Sequence, residues 1–334
     1  MISQPKRILI SRTDSIGDVV LTLPLAGILK KKFPQTEIYF IGKNYTKAVI
    51  NCSKNVNQFL SWDELDSKSE KDAISFLKSF HFSAIVHVFP NKKLAFLAKS
   101  AQIENRIGVN RRIFHWLTCN YRPSFSRKSS DLHEAQLNAK LLAPFGIEDN
   151  FSQKDLAKFY NFSPTVELSS ELENLIEKDK LNIIIHPKSK GSAKEWGLDN
   201  FIKLVEILPK SKFKIFVSGT NDDALQIKNQ SKLLNMEVTD LTGKMNLEQF
   251  IAFIQKTDAL IAASTGPLHI ASALGKHAVG LYSSIKPIHP GRWAPIGENA
   301  FYFEANEPTN ERIGDRSILD IQPQKVADYL AHIN

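Results

Sequence analysis

A chain of 334 residues exceeds what one hydrophobic core usually organises, so two domains are expected. Its 43% hydrophobic and 23% charged residues are those of an ordinary folded protein, and no apolar run nears the roughly 20 residues of a membrane-spanning helix. A formal net charge of +8 favours an anionic partner, whether nucleic acid, a phosphorylated sugar or an anionic membrane face.

Near the start, Lys6 and Arg7 precede only Ile8-Leu9-Ile10 before polar residues resume, which reads as a short buried strand and not a secretory signal. Cys52 and Cys119 lie far apart in no metal-ligand spacing, so two buried thiols in a reducing, cytoplasmic setting are expected. Strands are then expected at Arg7–Ser11, Glu37–Ile41, Ala84–Val88 and Ile107–Val109. Helices are expected at Asp18–Lys32, where Pro24 kinks the helix or marks its true first turn, and at Asp72–Phe80. Arg111–Ser130, rich in Arg, Ser and aromatics, reads as a surface excursion, His133–Leu142 as a helix and Glu148–Pro164 as an interdomain segment.

The alternation restarts after Pro164. Strands are expected at Leu181–His186, Phe213–Ser218, Val238–Leu241, Ala259–Ala263 and Ala278–Tyr282. Helices are expected at Asn200–Leu208, Ala224–Leu234, Leu247–Gln255, Leu268–Leu274 and Gln324–Ile333. Two similar halves, each a doubly wound parallel sheet, are the expectation.

Such sheets bind ligands outside the carboxyl ends of their strands, and five loops qualify. Ser11–Asp18 follows the first strand, where Gly17 permits a tight turn and Asp18 starts a helix; it holds no G-x-G-x-x-G fingerprint. His186–Trp196 carries Lys188, Lys190 and Lys194 among small and hydroxyl residues, either a phosphate cradle or a solvated basic loop. Ser218–Asp223 offers Asp222 and Asp223 to a ribose, or merely to a helix cap. Ser264–His269 combines Thr265 and Gly266 with a helix start suited to an anion, and Pro267 fits its first turn. Lys286–Pro295 presents Arg292 and Trp293, as substrate contacts or as a packed cover.

These blocks together resemble glycosyltransferase family 9, the lipopolysaccharide heptosyltransferases. The resemblance rests on Arg12-x-Asp14-x-x-Gly17-Asp18-x-x-x-x-x-Pro24, His186-Pro187, Gly191-Ser192-Ala193-Lys194-x-Trp196 and Ser264-Thr265-Gly266-Pro267-Leu268-His269-x-Ala271-x-Ala273-Leu274-Gly275. It implies a GT-B fold, two Rossmann-like domains facing a cleft: acceptor binding in residues 1–160, donor binding in 161–321, and a terminal helix in 322–334 that crosses back to the first domain. By position Asp18 matches the family's catalytic base, with Arg12 and Gly17 on the acceptor side. Ser189, Lys194, Thr265 and Gly266 match the donor phosphate site, and Asp222, Asp223, Ser264 and His269 the donor nucleoside or sugar.

The implied reaction is an inverting transfer of heptose from ADP-L-glycero-β-D-manno-heptose to the Kdo–lipid A inner core. No cofactor is required, and the absence of an Asp-x-Asp motif gives no indication of a metal. The cationic excess suits a lipid-anchored acceptor and peripheral contact with the anionic inner membrane face. Ser264 stands where the family commonly has Asp and contributes no charge. Its alternatives are a branch using another nucleotide sugar, or an inert nucleotide-sugar-binding protein. Arg106, Arg111, Arg112, Arg122, Arg127 and Lys128, interleaved with aromatics, also raise nucleic-acid binding, but no recognised module accompanies them and no nucleic-acid partner is expected.

Overall fold

The computed structural model describes residues 1–148, 150–286, 288–305 and 317–333. The chain divides into two compact units, Met1–Ser163 and Pro164 onward, a boundary three residues beyond the expected one.

In the first unit, β1 (Arg7–Ser11), β2 (Glu37–Gly42), β3 (Gln58–Ser61), β4 (Ala84–His87) and β5 (Asn105–Ile107) form one sheet in the order β3-β2-β1-β4-β5. Every pairing is parallel, with Ile10 beside Phe40 on one flank and Val86 on the other. Because helices cover both faces, the central strands are unbroken apolar runs: Ile8, Leu9 and Ile10 are fully buried. The expected helix over 18–32 is two helices, Ile16–Val20 and Pro24–Lys32. Pro24 opens the second, where its missing N–H leaves nothing unsatisfied. A helix at Lys92–Ser100 joins β4 to β5, and the excursion after β5 contains a short helix, Ile113–Thr118. His133 caps the helix Glu134–Ala139, accepting at Nδ1 from the Ala135 N–H at 3.2 Å.

In the second unit, β6 (Leu181–His186), β7 (Phe213–Val217), β8 (Thr239–Asp240), β9 (Ala259–Ala263), β10 (His277–Tyr282) and β11 (Ala300–Glu304) form a sheet in the order β11-β10-β9-β6-β7-β8, again parallel. The terminal helix, Pro323–Ala331, corrects an expectation. Its buried Val326, Ala327 and Leu330 share a core with Phe201 and Leu204 of the helix Leu198–Ile207 and with β6 and β7. Its apolar face is thus satisfied within its own unit and not by a return to the first. Trp196 belongs to the same core: it is fully buried and its Nε1 donates to the Ile321 carbonyl at 2.9 Å.

Candidate functional site

Both strand orders reverse once, between β1 and β4 in the first unit and between β6 and β9 in the second. At such a point the loops leaving adjacent strands part to opposite faces and open a crevice at the carboxyl edge. The loops after β1 and β4 therefore frame one crevice, and those after β6 and β9 frame the other.

In the first unit the crevice is organised by a buried guanidinium. Arg12 directly follows β1, and its side chain is only 5% exposed. Its Nε meets Asp14 Oδ1 at 2.7 Å, its Nη1 meets Glu134 Oε1 at 3.1 Å, and its Nη2 pairs with Asp18 Oδ1. Glu134, itself 2% exposed, also pairs with Arg127, which donates to the Val88 carbonyl at 3.2 Å and to Asn138 Oδ1 at 3.0 Å. Three carboxylates thus share two guanidinium groups. Burial works against the Arg12 charge, but Asp18, Asp14 and Glu134 outweigh it and hold its pKa above the usual value. Burial lifts the Asp14 carboxyl to about 6; Arg12 opposes the rise and the Asp18 charge adds to it.

Asp18 is the third residue of the helix Ile16–Val20 and accepts at Oδ2 from the Ser15 hydroxyl. Gly17 corrects an expectation: it lies within that helix and is not among the positive-φ glycines, so the turn is made by the residues before it. Sequence reasoning singled out Arg12 and Asp18 but missed Glu134, a charge on a buried helix face 122 residues from Arg12. It also missed His87, which ends β4 fully buried. Both its ring nitrogens lack partners among the described residues, and burial, then His115 and Arg106, push its pKa down to about 3.

In the second unit the loop after β6 is closed by Glu195, another residue the sequence did not flag. Its carboxylate accepts from Lys188 Nζ at 2.6 Å and from the Ser189 N–H at 2.9 Å, while the Ser189 hydroxyl donates to the Ala193 carbonyl at 2.8 Å. Lys190 and Gly191 turn the loop with φ of 51° and 79°. Ser189 and Lys188 therefore hold the loop's shape, and Lys194 is half-buried in the same loop. His186, at the end of β6, contacts Ser218 Oγ through Nδ1 at 2.9 Å, and burial pushes its pKa down to about 4, against Asp223 and Glu195.

The loop after β9 leads straight into the helix Gly266–Ala273, with Thr265 at its N-cap. Thr265 is buried, yet its hydroxyl caps no backbone N–H and has no partner among the described residues. Pro267 lies in the first turn, as expected. His269 is buried one turn further on. Ser264 is hydrogen-bonded to the phenol of buried Tyr282, whose own O–H donates to the Trp293 carbonyl. After β7, Asp223 is buried and completes a capping box: its Oδ2 accepts from the Thr220 N–H at 2.7 Å and hydroxyl at 2.8 Å. The cap explains Asp223, which leaves the exposed Asp222 facing solvent. In the fifth loop Arg292 and Trp293 lie on a short helix, Pro290–Trp293, while Pro287 lies outside the described residues.

The model of the family described as glycosyltransferase family 9 (heptosyltransferase) matches residues 77–320. The lipopolysaccharide core heptosyltransferase OpsX of Haemophilus influenzae is 23% identical over 322 residues, spanning 90% of this chain and 86% of its own. The crystal structure of a family 9 glycosyl transferase from Veillonella parvula superposes with a TM-score of 0.81 at 17% identity, over 98% of this chain and 97% of that one. Escherichia coli heptosyltransferase WaaC, solved with ADP, gives a TM-score of 0.73 at 17% identity, over 98% and 100%. The shared fold is GT-B, two Rossmann-like units in one chain.

Proposed function

The chain belongs to glycosyltransferase family 9, and we propose that it transfers a heptose from an ADP-heptose to the lipopolysaccharide inner core, with Asp18 as the base. The observation that carries the role of Asp18 is its place at the β1/β4 crevice on a carboxylate cluster held by Arg12. A carboxylate paired to an arginine of its own would be a poor base. Here Arg12 is divided among Asp14, Asp18 and Glu134, and the pairing fixes the orientation of the Asp18 carboxylate at the crevice.

In this mechanism Asp18 removes the proton from an acceptor sugar hydroxyl. The freed oxygen attacks the donor's anomeric carbon from the face opposite the leaving group, and the bond to the diphosphate breaks. The charge gathering on the nucleoside diphosphate is met by Lys194, by the Thr265 hydroxyl and by the uncapped N–H groups of the helix Gly266–Ala273. The acceptor is a Kdo or heptose on lipid A, and its lipid anchor brings the protein to an anionic membrane face. Among the described residues no helix is long and apolar enough to cross a membrane.

A second reading has its own observation. Ser264 is engaged by Tyr282 and presents no carboxylate, which favours a donor sugar other than heptose. Thermal shift and transfer assays over a panel of ADP-, UDP- and GDP-sugars decide between them. Stabilisation and turnover confined to ADP-heptose are expected; preference for another nucleotide sugar would overturn the heptose assignment and leave glycosyl transfer standing.

A further inference from the structure

The helix Ile113–Thr118 is built inside out. His115 and Thr118 are buried, whereas Ile113, Trp116 and Leu117, spaced i, i+3 and i+4 on one face, are 85%, 61% and 59% exposed. The exposure does not come from looseness. His115 Nδ1 lies 3.0 Å from the Val109 carbonyl, with its ring against Gly108 so closely that a Cβ there would sit 2.6 Å from Nδ1. Trp116 Nε1 donates to the Asn110 carbonyl at 2.7 Å, and the Arg122 guanidinium lies 4.6 Å from its ring centre. From the neighbouring helix Lys92–Ser100, Lys99 donates to the Leu117 carbonyl at 2.8 Å and Phe96 adds another exposed ring.

The charge around this face is of one sign. Between Ala84 and Ser130 stand nine lysines and arginines against a single acid, Glu104, so this stretch alone carries as much net positive charge as the whole chain. Some of these cations serve the fold: Arg106 donates to the Thr118 carbonyl at 2.6 Å, and Lys93 pairs with Asp66 at 2.8 Å. Lys92, Arg111 and Arg112 are exposed and make no ion pair among the described residues. The surface lies on the carboxyl edge of the first unit's sheet, the edge that carries Asp18: Arg111 and Arg112 follow β5, and Asn91, which opens the neighbouring helix, donates to Thr13 Oγ1 at 3.4 Å.

We propose that this face docks the first unit onto an anionic lipid bilayer. Ile113, Trp116 and Leu117 enter the headgroup region, and Lys92, Arg111 and Arg112 meet lipid phosphates. A tryptophan held by one hydrogen bond beside two aliphatic side chains suits the bilayer interface, and flanking cations add attraction to acidic headgroups. A protein partner would cover the apolar side chains, but nothing in that explanation calls for so many unpaired cations. The proposal builds on the lipid-anchored acceptor proposed above, since docking would hold the Asp18 edge at the lipid surface.

The test uses the full-length protein without donor or acceptor, so its outcome is independent of whether heptose is transferred. Protein is sedimented with vesicles of phosphatidylglycerol and phosphatidylethanolamine, and with vesicles of phosphatidylcholine alone. Binding to the first only, weakening with added salt, is expected. Arg111→Gln with Arg112→Gln should weaken it about fivefold per charge removed. Ile113→Ser with Leu117→Ser, at side chains that make no hydrogen bonds, should weaken it roughly tenfold or more. The tryptophan emission should shift to the blue on binding, and Trp116→Phe should abolish the shift. Equal binding to both vesicle types, or variants that bind like the parent, would overturn the proposal. So would a dimer in solution that Ile113→Ser with Leu117→Ser dissolves, or salt-sensitive RNA binding that anionic vesicles fail to displace.

Discussion

At the scale of single residues, the account turns on how Arg12 is shared. A buried guanidinium facing one acid would lock that acid in its charged, weakly basic form. Facing three, it leaves a carboxylate that still binds a proton within reach of neutral pH, and Asp14 is that group, lifted to about 6 chiefly by burial. The folded protein holds this proton over a range where the unfolded chain has lost it. Asp14 therefore contributes stability that is full below about pH 4 and is lost as pH rises through about 6. The same ionisation places a second negative charge beside Asp18, which under the proposed function favours removal of the acceptor's proton. The parent's kcat/KM is thus expected to rise as pH climbs through about 6. Asp14→Asn, fixed in the neutral form, should lose that rise and stay at the low level. A pH profile of both proteins checks this, and a profile of Asp14→Asn that still rises with the parent's midpoint would remove Asp14 from the account.

At the scale of elements, the helix Gly266–Ala273 is the second unit's most informative piece. Its cap residue, Thr265, is buried with a hydroxyl unpartnered among the described residues, which costs stability in the free protein and, under the proposed function, would be satisfied by a donor phosphate. Thr265→Val keeps the shape and removes the orphaned group. Its unfolding free energy should stay level or rise by up to about 1 kcal/mol, while ADP affinity falls about fivefold to tenfold. Denaturant titration and calorimetry measure the two quantities; a variant that loses stability and keeps its ADP affinity would assign Thr265 to the fold alone. Much of this helix was legible beforehand, because Thr265-Gly266-Pro267 after a buried apolar strand marks a helix start. The central strands β1, β6 and β9 were equally legible, being unbroken apolar runs. The short edge strands β3 and β11 were not, since Gln58 and Ser61 or the half-exposed Phe301 and Tyr302 follow no buried pattern. The terminal helix shows a different limit. Its apolar stripe required a partner but could not say which, and the partner is the helix Leu198–Ile207 of its own unit.

At the scale of the molecule, two doubly wound units each place their loops at a strand-order reversal, and the chain's family gives that arrangement glycosyl transfer as its chemistry. Part of the proposed site was legible in the sequence, namely Arg12, Asp18, Lys194 and Thr265. What escaped notice is Glu134 under Arg12, 122 residues away in the chain, Tyr282 behind Ser264, and Glu195, which closes the loop after β6 onto Lys188 and Ser189. The central claim is that Asp18 takes the acceptor's proton, and one comparison tests it most directly. Purified parent and Asp18→Asn are assayed for heptose transfer from ADP-heptose to a Kdo-lipid A acceptor, with ADP binding measured on both. The account predicts ADP affinity within about twofold of the parent and turnover lower by roughly 10²- to 10⁴-fold. Undiminished transfer by Asp18→Asn would contradict it.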